Sequence, residues 1–304
     1  MPEGPDPTAD LSGKICLITG ATSGIGKMAA QAIARQGADL ILVGRNERAA
    51  DRLLRLLRQQ STRSKTQFIR TDLSQQTAVR RLASLVTENY DHLDILINNA
   101  GARFDAYRET EDGIELTFAT NHLGHFLLTC LLIEHLARAQ AARIVTVGSS
   151  SHFGAGSDDK WWLQRTNYDR RIAYAKSKLA NIVFAYELGR RLDGTGITSN
   201  AADPGGVATN FARNNGLVSW LRRLAGSALS RDLASPRRGA EVLVHLAGSP
   251  GLAGVTGKYF YRNRTVESSA VSHDRTKALS LWNVSAELTG MKKHPLCTRD
   301  RFAV

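Results

Sequence analysis

A tyrosine and a lysine stand four residues apart in the segment YAKSK, at Tyr174 and Lys178. The surrounding residues have the periodicity of an amphipathic helix, and positions i and i+4 of a helix share one face. A phenol has an unperturbed pKa of about 10, and a nearby cation favours its ionised form. The pair could therefore give or take a proton near neutral pH. The alternative is an exposed pair on a solvated helix face.

A second candidate site is the segment TGATSGIG, residues 19–26, which follows an apolar run and opens a helical pattern. Its glycines permit a tight turn and a close approach of the backbone, so that a pyrophosphate could bind at the helix N-terminus. A glycine cluster can also mark only a turn. Its position between a strand and a helix favours a dinucleotide.

The residues after the second apolar run bear on the choice of dinucleotide. Proteins that bind NAD commonly place Asp or Glu there to bind the adenosine ribose. This chain has Gly44 and Arg45, and its first carboxylate is Glu47. Because a guanidinium presents a planar set of donors to an anion, Arg45 favours the 2′-phosphate of NADP(H). The alternative is an ordinary surface arginine.

Strand and helix patterns alternate from residue 14 onward, which places these residues in a fold. Helical periodicity predicts several helices, among them residues 112–138 and 173–192. Apolar runs predict six strands: KICLIT, DLILVG, TQFIRTDL, LDILINNAG, ARIVTVGSS and GITSNAADPGG. Such strands are buried on both faces, as in a mainly parallel sheet covered by helices. We predict one α/β domain, a doubly wound Rossmann-like fold over residues 11–304, with a flexible tail at 1–10 and a C-terminal tail from about 266.

Composition and charge exclude several classes of protein. The formal charge of +12 is spread along the chain without a nucleic-acid-binding signature, so we predict no nucleic-acid partner. Cys16, Cys130 and Cys297 have neither disulfide nor zinc spacing, which predicts a reducing compartment and no metal site. The chain shows no signal region and no uninterrupted apolar run of membrane length. We expect a cytoplasmic protein without a transmembrane segment, and the sequence leaves open a homo-oligomer.

Six motifs occur in order: TGATSGIG (19–26), NNAG (98–101), NHLG (121–124), VGSS (147–150), YAKSK (174–178) and PGGVAT (204–209). Together they resemble the classical short-chain dehydrogenase/reductase family over about residues 11–263. The segments TEDGIE, NHLGHF and YFYRNR resemble the branch that contains retinol dehydrogenases and the WW-domain-containing oxidoreductase. The resemblance implies hydride transfer between a nicotinamide and a carbonyl or alcohol, and Arg45 favours NADP(H) as the cofactor. A non-catalytic NADP(H)-binding redox sensor or scaffold is the alternative.

The resemblance also implies roles for individual residues. Tyr174 would be the general acid in reduction, Lys178 would lower its pKa and bind the nicotinamide ribose, and Ser149 would hold the substrate oxygen. Asn121 would fix a water in a proton relay behind Lys178, and Asp72 would contact adenine. The residues expected to bind the cofactor are Gly20, Thr22, Ser23, Gly24, Ile25, Gly26, Arg45, Asn46, Asp72, Leu73, Asn99, Ala100, Gly101, Tyr174, Lys178, Pro204, Gly205, Val207 and Thr209.

The chain departs from the family pattern between Ser149 and Tyr174, whose separation of 25 residues requires an insert that loops out. Ser150 and Ser151 are the alternatives to Ser149. A candidate substrate-binding residue in the insert is His152. Phe211 and Trp220 are further candidates, within a predicted lid at about residues 206–234. The apolar stripe of the lid could instead rest on a membrane surface. A bulky lipophilic carbonyl or alcohol is the expected substrate, such as a retinoid, steroid, polyketide or other secondary metabolite.

Overall fold

The alternation of strands and helices is present in the computed structural model, which describes residues 9–60, 64–158, 160–206 and 235–292. The strands are β1 (Ile15–Thr19), β2 (Asp39–Gly44), β3 (Thr66–Arg70), β4 (Ile95–Asn98), β5 (Arg143–Val147), β6 (Thr198–Asp203), β7 (Tyr259–Tyr261) and β8 (Arg264–Thr265). The helices are α1 (Gly24–Arg35), α2 (Glu47–Gln60), α3 (Gln76–Asn89), α4 (Leu116–Ala137), α5 (Arg170–Arg191), α6 (Pro236–Gly248) and α7 (Arg275–Leu288). Residues Ala119–Leu123 form a π-helical segment inside α4.

The described strands form one sheet in the order β3-β2-β1-β4-β5-β6-β7-β8. All neighbouring pairs are parallel except β7 and β8, which are antiparallel. The chain places β2 and β3 on one side of β1, and it then places β4 and the later strands on the other side of β1. A crevice is expected where the order reverses, at the carboxyl ends of β1 and β4. The predicted doubly wound, mainly parallel α/β domain is confirmed.

Helices cover both faces of this sheet. One apolar core contains Phe126, Phe184 and Trp282, and a second contains Ile33 and Leu243 on other helices. Among the described residues one helix, Leu116–Ala137, is long and apolar enough to cross a membrane, but 83% of its most apolar window is buried inside the domain. It is therefore a core helix of this fold. The cytoplasmic location and the homo-oligomer stay predictions.

Two predicted helix boundaries differ from the structure because capping side chains set them. The long helix begins at Leu116 instead of residue 112, since Glu115 accepts hydrogen bonds from the main-chain N–H groups of Thr117 and Phe118. The helix that carries YAKSK begins at Arg170 instead of residue 173, because the carboxylate of Asp169 accepts from two first-turn N–H groups. Such caps satisfy donors that have no partner inside the helix.

The C-terminal tail expected from about residue 266 is wrong for residues 270–292. Ala270–His273 is a 3₁₀ turn, and α7 follows it. The ring of Trp282 on α7 is buried 5.1 Å from the ring of Phe126, and the Arg191 guanidinium lies 4.3 Å from the Trp282 ring centroid. The apolar contact area of Trp282 makes this segment part of the core. Residues 1–8 of the predicted N-terminal tail and residues 207–234 of the predicted lid lie outside the described residues.

Candidate active site

A cleft of about 1090 Å³ lies along the carboxyl ends of the central strands. It contains every residue expected to bind the cofactor that the structure describes, together with Ser149. The glycine loop after β1 and the turn after β2 lie on one side of the reversal in strand order. Residues after β5 and β6, together with Tyr174 and Lys178 of the YAKSK segment, lie on the other. Asn121 and His152 are not among the lining residues, and Val207, Thr209, Phe211 and Trp220 lie outside the described residues.

The glycine loop brings its backbone close to the turn after β4. Gly20 has a φ of 66°, and a Cβ at Gly26 would lie only 2.5 Å from the main-chain oxygen of Gly20. No side chain could occupy these positions without displacing the loop. Ser23 is the N-cap residue of α1 but makes no side-chain capping hydrogen bond. First-turn N–H groups of α1 therefore remain for an anion, as the sequence predicted for a pyrophosphate.

Thr19, which the sequence interpretation missed, organises the same region. Its Oγ1 accepts hydrogen bonds from the main-chain N–H groups of Asn99 at 2.9 Å and Ala100 at 3.0 Å. In return, the side-chain Nδ2 of Asn99 donates to the Thr19 carbonyl oxygen at 2.7 Å. The Asn99 amide thus holds the glycine loop against the NNAG turn. The position of Thr19 at the carboxyl end of β1 was the available signal.

Cationic side chains surround the predicted adenosine end of the cleft. Arg45 lies 3.4 Å from a carboxylate oxygen of Asp72, measured from its Nη1. Asp72 also accepts from the main-chain N–H and the hydroxyl of Ser74, so it orders the turn after β3. Asn46 caps α2 by accepting from the Ala49 N–H at 3.0 Å. The sequence interpretation missed five further cations that line the cleft: Lys27, Arg48, Arg52, Arg70 and Arg103. The spacing of Arg48 and Arg52 by one helical turn could have indicated two of them.

Tyr174 and Lys178 face the cleft together, as the i, i+4 spacing predicted. The Lys178 Nζ lies 5.7 Å from the centroid of the Tyr174 ring and donates a hydrogen bond to the Val147 carbonyl at 2.9 Å. The lysine is only 2% exposed. This burial lowers the pKa of Lys178 to about 8, although the negative charge of Asp203 raises it in part. The ammonium is thus beside the phenol in a site of low dielectric, where its influence is large.

Ser149 lies at the end of β5, where it begins a short 3₁₀ helix. Its hydroxyl donates to the Ser151 Oγ at 3.2 Å and accepts from the Ser151 N–H at 3.2 Å. Ser149 and Ser151 line the cleft, and Ser150 is not among the lining residues. Of the three serines considered from the sequence, Ser149 and Ser151 therefore have hydroxyl groups near the cleft.

Asn121 is fully buried in the π-helical segment of α4. Its Oδ1 accepts from the Ala102 N–H at 2.7 Å, and its Nδ2 donates to the Ala102 carbonyl at 2.9 Å and to the Ser177 hydroxyl at 2.9 Å. Both amide hydrogens are thus used within the protein. The side chain joins the turn after β4 to the YAKSK helix, and the part of Asn121 in a proton relay stays a prediction.

His152 is not placed to bind substrate, which corrects the expectation from the sequence. It is 1% exposed, its Nδ1 bonds to the Ser149 carbonyl at 2.7 Å, and its Nε2 bonds to the Ser269 N–H at 3.0 Å. Burial lowers its pKa, so it stays neutral and fastens the start of the insert to the C-terminal segment. The next residue, Phe153, is 61% exposed instead.

The insert itself packs on the domain at several points. Lys176 on α5 forms an ion pair with Asp158, and Lys277 on α7 donates to the Ser157 carbonyl at 2.9 Å. The Tyr168 hydroxyl donates to the Phe104 carbonyl at 2.9 Å. Trp162 lies against Phe118 of α4, with ring centroids 5.0 Å apart. These contacts let a longer connection enter α5 without moving Tyr174 out of the cleft.

Comparisons with known proteins agree with this geometry. The model of the short chain dehydrogenase family matches residues 14–217. Human retinol dehydrogenase 12 is 37% identical over 282 residues, covering 93% of this chain and 88% of that protein. Human polyprenol dehydrogenase is 35% identical over 285 residues, covering 91% of this chain and 86% of that protein.

Solved structures show the same fold. An uncharacterized protein from Mycobacterium paratuberculosis has a TM-score of 0.73 at 31% identity, covering 93% of this chain and 96% of that one. The RhlG/NADP active-site complex of Pseudomonas aeruginosa has a TM-score of 0.65 at 28% identity, covering 84% of this chain and 96% of that one. The resemblance carried by the six motifs is confirmed, and the chain belongs to the short-chain dehydrogenase family, with similarity to its retinol dehydrogenases.

Proposed function

We propose that this chain is an NADP(H)-dependent oxidoreductase that transfers a hydride between the nicotinamide and a carbonyl or an alcohol. The observation that carries the proposal is the arrangement of one cleft across the reversal in strand order. The glycine loop and Arg45 line one side of it, and Ser149, Tyr174 and Lys178 line the other. A protein that only bound the cofactor would not need the phenol and the hydroxyl at this place.

The residues of the cleft fit NADP(H). The N–H groups of the first turn of α1 would hold the pyrophosphate. Because Gly20 and Gly26 carry no side chains, the backbone of the loop can approach it closely. Arg45, with Arg48 and Arg70 nearby, would bind the 2′-phosphate. The 28% identical RhlG structure is an NADP complex, which supports the same cofactor here.

The bound nicotinamide would supply the hydride in carbonyl reduction and accept it in alcohol oxidation. As the hydride adds to the carbonyl carbon, Tyr174 donates its phenolic proton to the oxygen, and the electron pair of the broken π bond forms the new O–H bond. Ser149 can turn from Ser151 and donate a hydrogen bond to the same oxygen. The Lys178 ammonium stabilises the phenolate until a proton from solvent returns to it. Oxidation follows these steps in reverse.

We also propose that the substrate is a bulky, lipophilic carbonyl or alcohol. Two relatives carry the names retinol dehydrogenase and polyprenol dehydrogenase, at 37% and 35% identity. The ring of Phe153, two residues beyond the cleft residue Ser151, is 61% exposed and offers an apolar surface on the insert. A panel of aldehydes and ketones of increasing apolar size tests this proposal, with NADPH oxidation as the signal. Equal kcat/KM for small polar and large apolar members would contradict it.

The phenylalanine variant of Tyr174 tests the reaction class, because it keeps the ring beside Lys178 and removes only the proton donor. We expect Tyr174→Phe to lower kcat by about 100-fold or more, the usual contribution of a general acid, with the Kd for NADPH almost unchanged. The matched control is Tyr168→Phe, which loses a hydroxyl from the insert instead of the cleft. Turnover in Tyr174→Phe at the wild-type rate would refute the mechanism. NADPH binding without turnover by the wild type would favour the redox sensor or scaffold.

A further inference from the structure

His125 is a fully buried histidine on α4, one helical turn after Asn121, and both of its ring nitrogens have partners. Its Nδ1 lies 2.9 Å from the main-chain oxygen of Asn121. Its Nε2 lies 2.9 Å from the Oγ1 of Thr19. The ring therefore connects the π-helical segment of α4 to the residue that holds the glycine loop against the NNAG turn.

The hydrogen-bonding capacity of Thr19 determines the tautomer of this ring. A hydroxyl has two acceptor sites and one hydrogen. The N–H groups of Asn99 and Ala100 occupy both acceptor sites. Thr19 must then donate its hydrogen, and the Nε2 of His125 at 2.9 Å is a nearer acceptor than the Ile97 carbonyl at 3.3 Å. His125 consequently carries its proton on Nδ1, which donates to the Asn121 carbonyl oxygen.

The surroundings of His125 keep the ring in this neutral form. Burial and, to a smaller extent, the positive charge of Lys178 on α5 lower the pKa of His125 to about 4, although the hydrogen bond to the Asn121 carbonyl raises it in part. His122 on the same helix is the other titratable neighbour, and it is also buried and neutral. Lys178 follows Ser177, whose hydroxyl accepts from the Asn121 side chain. Asn121 thus joins the His125 ring, through its carbonyl oxygen, to the residue that precedes the catalytic lysine, through its side chain.

We propose that His125 is a positioning residue for the oxidoreductase reaction: its Nδ1–H fixes the main chain at Asn121, whose side chain bonds to Ser177 next to Lys178, while its Nε2 accepts from the buried Thr19 hydroxyl at the start of the glycine loop. This inference rests on the proposed function, because it assigns His125 a part in the catalytic group described there. A carbonyl that moves by about 1 Å behind a catalytic residue can lower the rate by as much as about 100-fold. His125 therefore acts on the rate through Asn121 and Lys178, without touching substrate.

Amide variants can separate the two hydrogen bonds of the ring. The side-chain nitrogen of asparagine falls near the Nδ1 position, and that of glutamine near the Nε2 position. We expect His125→Asn to keep the donor to Asn121 and at least about a third of kcat. His125→Gln and His125→Phe lose that donor, so we expect kcat to fall at least about tenfold and the pH profile of kcat to shift, with KM for NADPH within about threefold of wild type.

His122 provides the matched control. It lies three residues earlier on the same helix, is equally buried, and bonds through its Nε2 to the Ser285 hydroxyl of α7 at 2.9 Å, away from the cleft. His122→Phe should lower Tm while the pH profile of kcat stays that of the wild type. If His125→Phe and His122→Phe change Tm alike and neither changes kcat or its pH profile, the positioning role is refuted.

A measurement that needs no turnover separates this inference from the proposed function. In protein labelled with ¹⁵N-histidine, the signals absent from His125→Phe identify the ring, and their chemical shifts at pH 7 report its tautomer. We expect a protonated Nδ1 and an unprotonated Nε2. The opposite tautomer, or a cationic ring, would overturn the inference even in an active enzyme. An inactive wild type with the expected tautomer would instead count against the proposed function.

Discussion

Replacing Arg45 by alanine tests the recognition of NADP(H) directly. The Arg45 guanidinium lines the cleft at the end of β2, with its Nη1 3.4 Å from the Asp72 carboxylate, and its side chain is 50% exposed. A charge-assisted hydrogen bond contributes about 1.5–3 kcal/mol. Solvent exposure, competition from Asp72 and the neighbouring cations Arg48 and Arg70 all reduce the loss. We therefore expect the lower part of that range, about 1.5–2 kcal/mol, which is a roughly 10- to 30-fold increase in Kd for NADPH.

Fluorescence titration of NADPH at fixed ionic strength measures this effect, and NADH provides the comparison because it lacks the 2′-phosphate. The affinity for NADH should change less than about twofold. Arg58→Ala is the charge-matched control, since Arg58 is exposed in the last turn of α2 and does not line the cleft. Raising the salt concentration should narrow the difference between wild type and Arg45→Ala. Equal affinity of the wild type for NADH and NADPH, or an equal loss of both in Arg45→Ala, would refute the reasoning.

Two further predictions follow from packing and from protonation. Gly26→Ala should weaken NADPH binding at least about tenfold, because the new Cβ would lie 2.5 Å from the main-chain oxygen of Gly20 and displace the loop. The control Gly154→Ala, whose Cβ would have nothing within 4 Å, should bind NADPH with the wild-type affinity in the same titration. Burial lowers the pKa of His122 to about 3 and of His125 to about 4, so between about pH 6.5 and 4 the unfolded chain binds more protons than the folded one. The free energy of unfolding should therefore fall with falling pH, by about 1.4 kcal/mol per unit for each histidine. Urea unfolding from pH 6.5 to 4.5 measures this slope, and an identical slope in wild type and His122→Phe would contradict the prediction.

The fold and most of the cleft could be predicted from local patterns. The apolar runs predicted β1 to β6, because a strand buried on both faces must be apolar throughout. The spacing of Tyr174 and Lys178 predicted their common face, because helix geometry alone sets it. The short β7 and β8 strands were missed, since three residues and two residues carry too little periodicity to be read.

The errors concern residues whose environment comes from distant parts of the chain. His152 was a candidate for substrate binding, but Ser269 reaches its ring from 117 residues away. Trp282 was assigned to a tail, but Phe126 and Phe184 of the central helices bury it. Neither contact can be predicted from the local sequence, because both contacts depend on how the C-terminal segment packs against the rest of the domain.

The sequence by itself determined the α/β architecture, the glycine loop and the Tyr174–Lys178 pair. It also determined that Arg45 stands where NAD-binding proteins commonly have an acidic residue. All of these follow from residue type and short spacing. Only the tertiary structure decided the partners of the buried polar groups. Thr19 on β1 lies 106 residues before His125 on α4, and its hydrogen bonds to His125 and to Asn99 exist only once β1, β4 and α4 have packed. A buried polar group must find a partner wherever the fold brings one, so the roles of these residues became visible only in three dimensions.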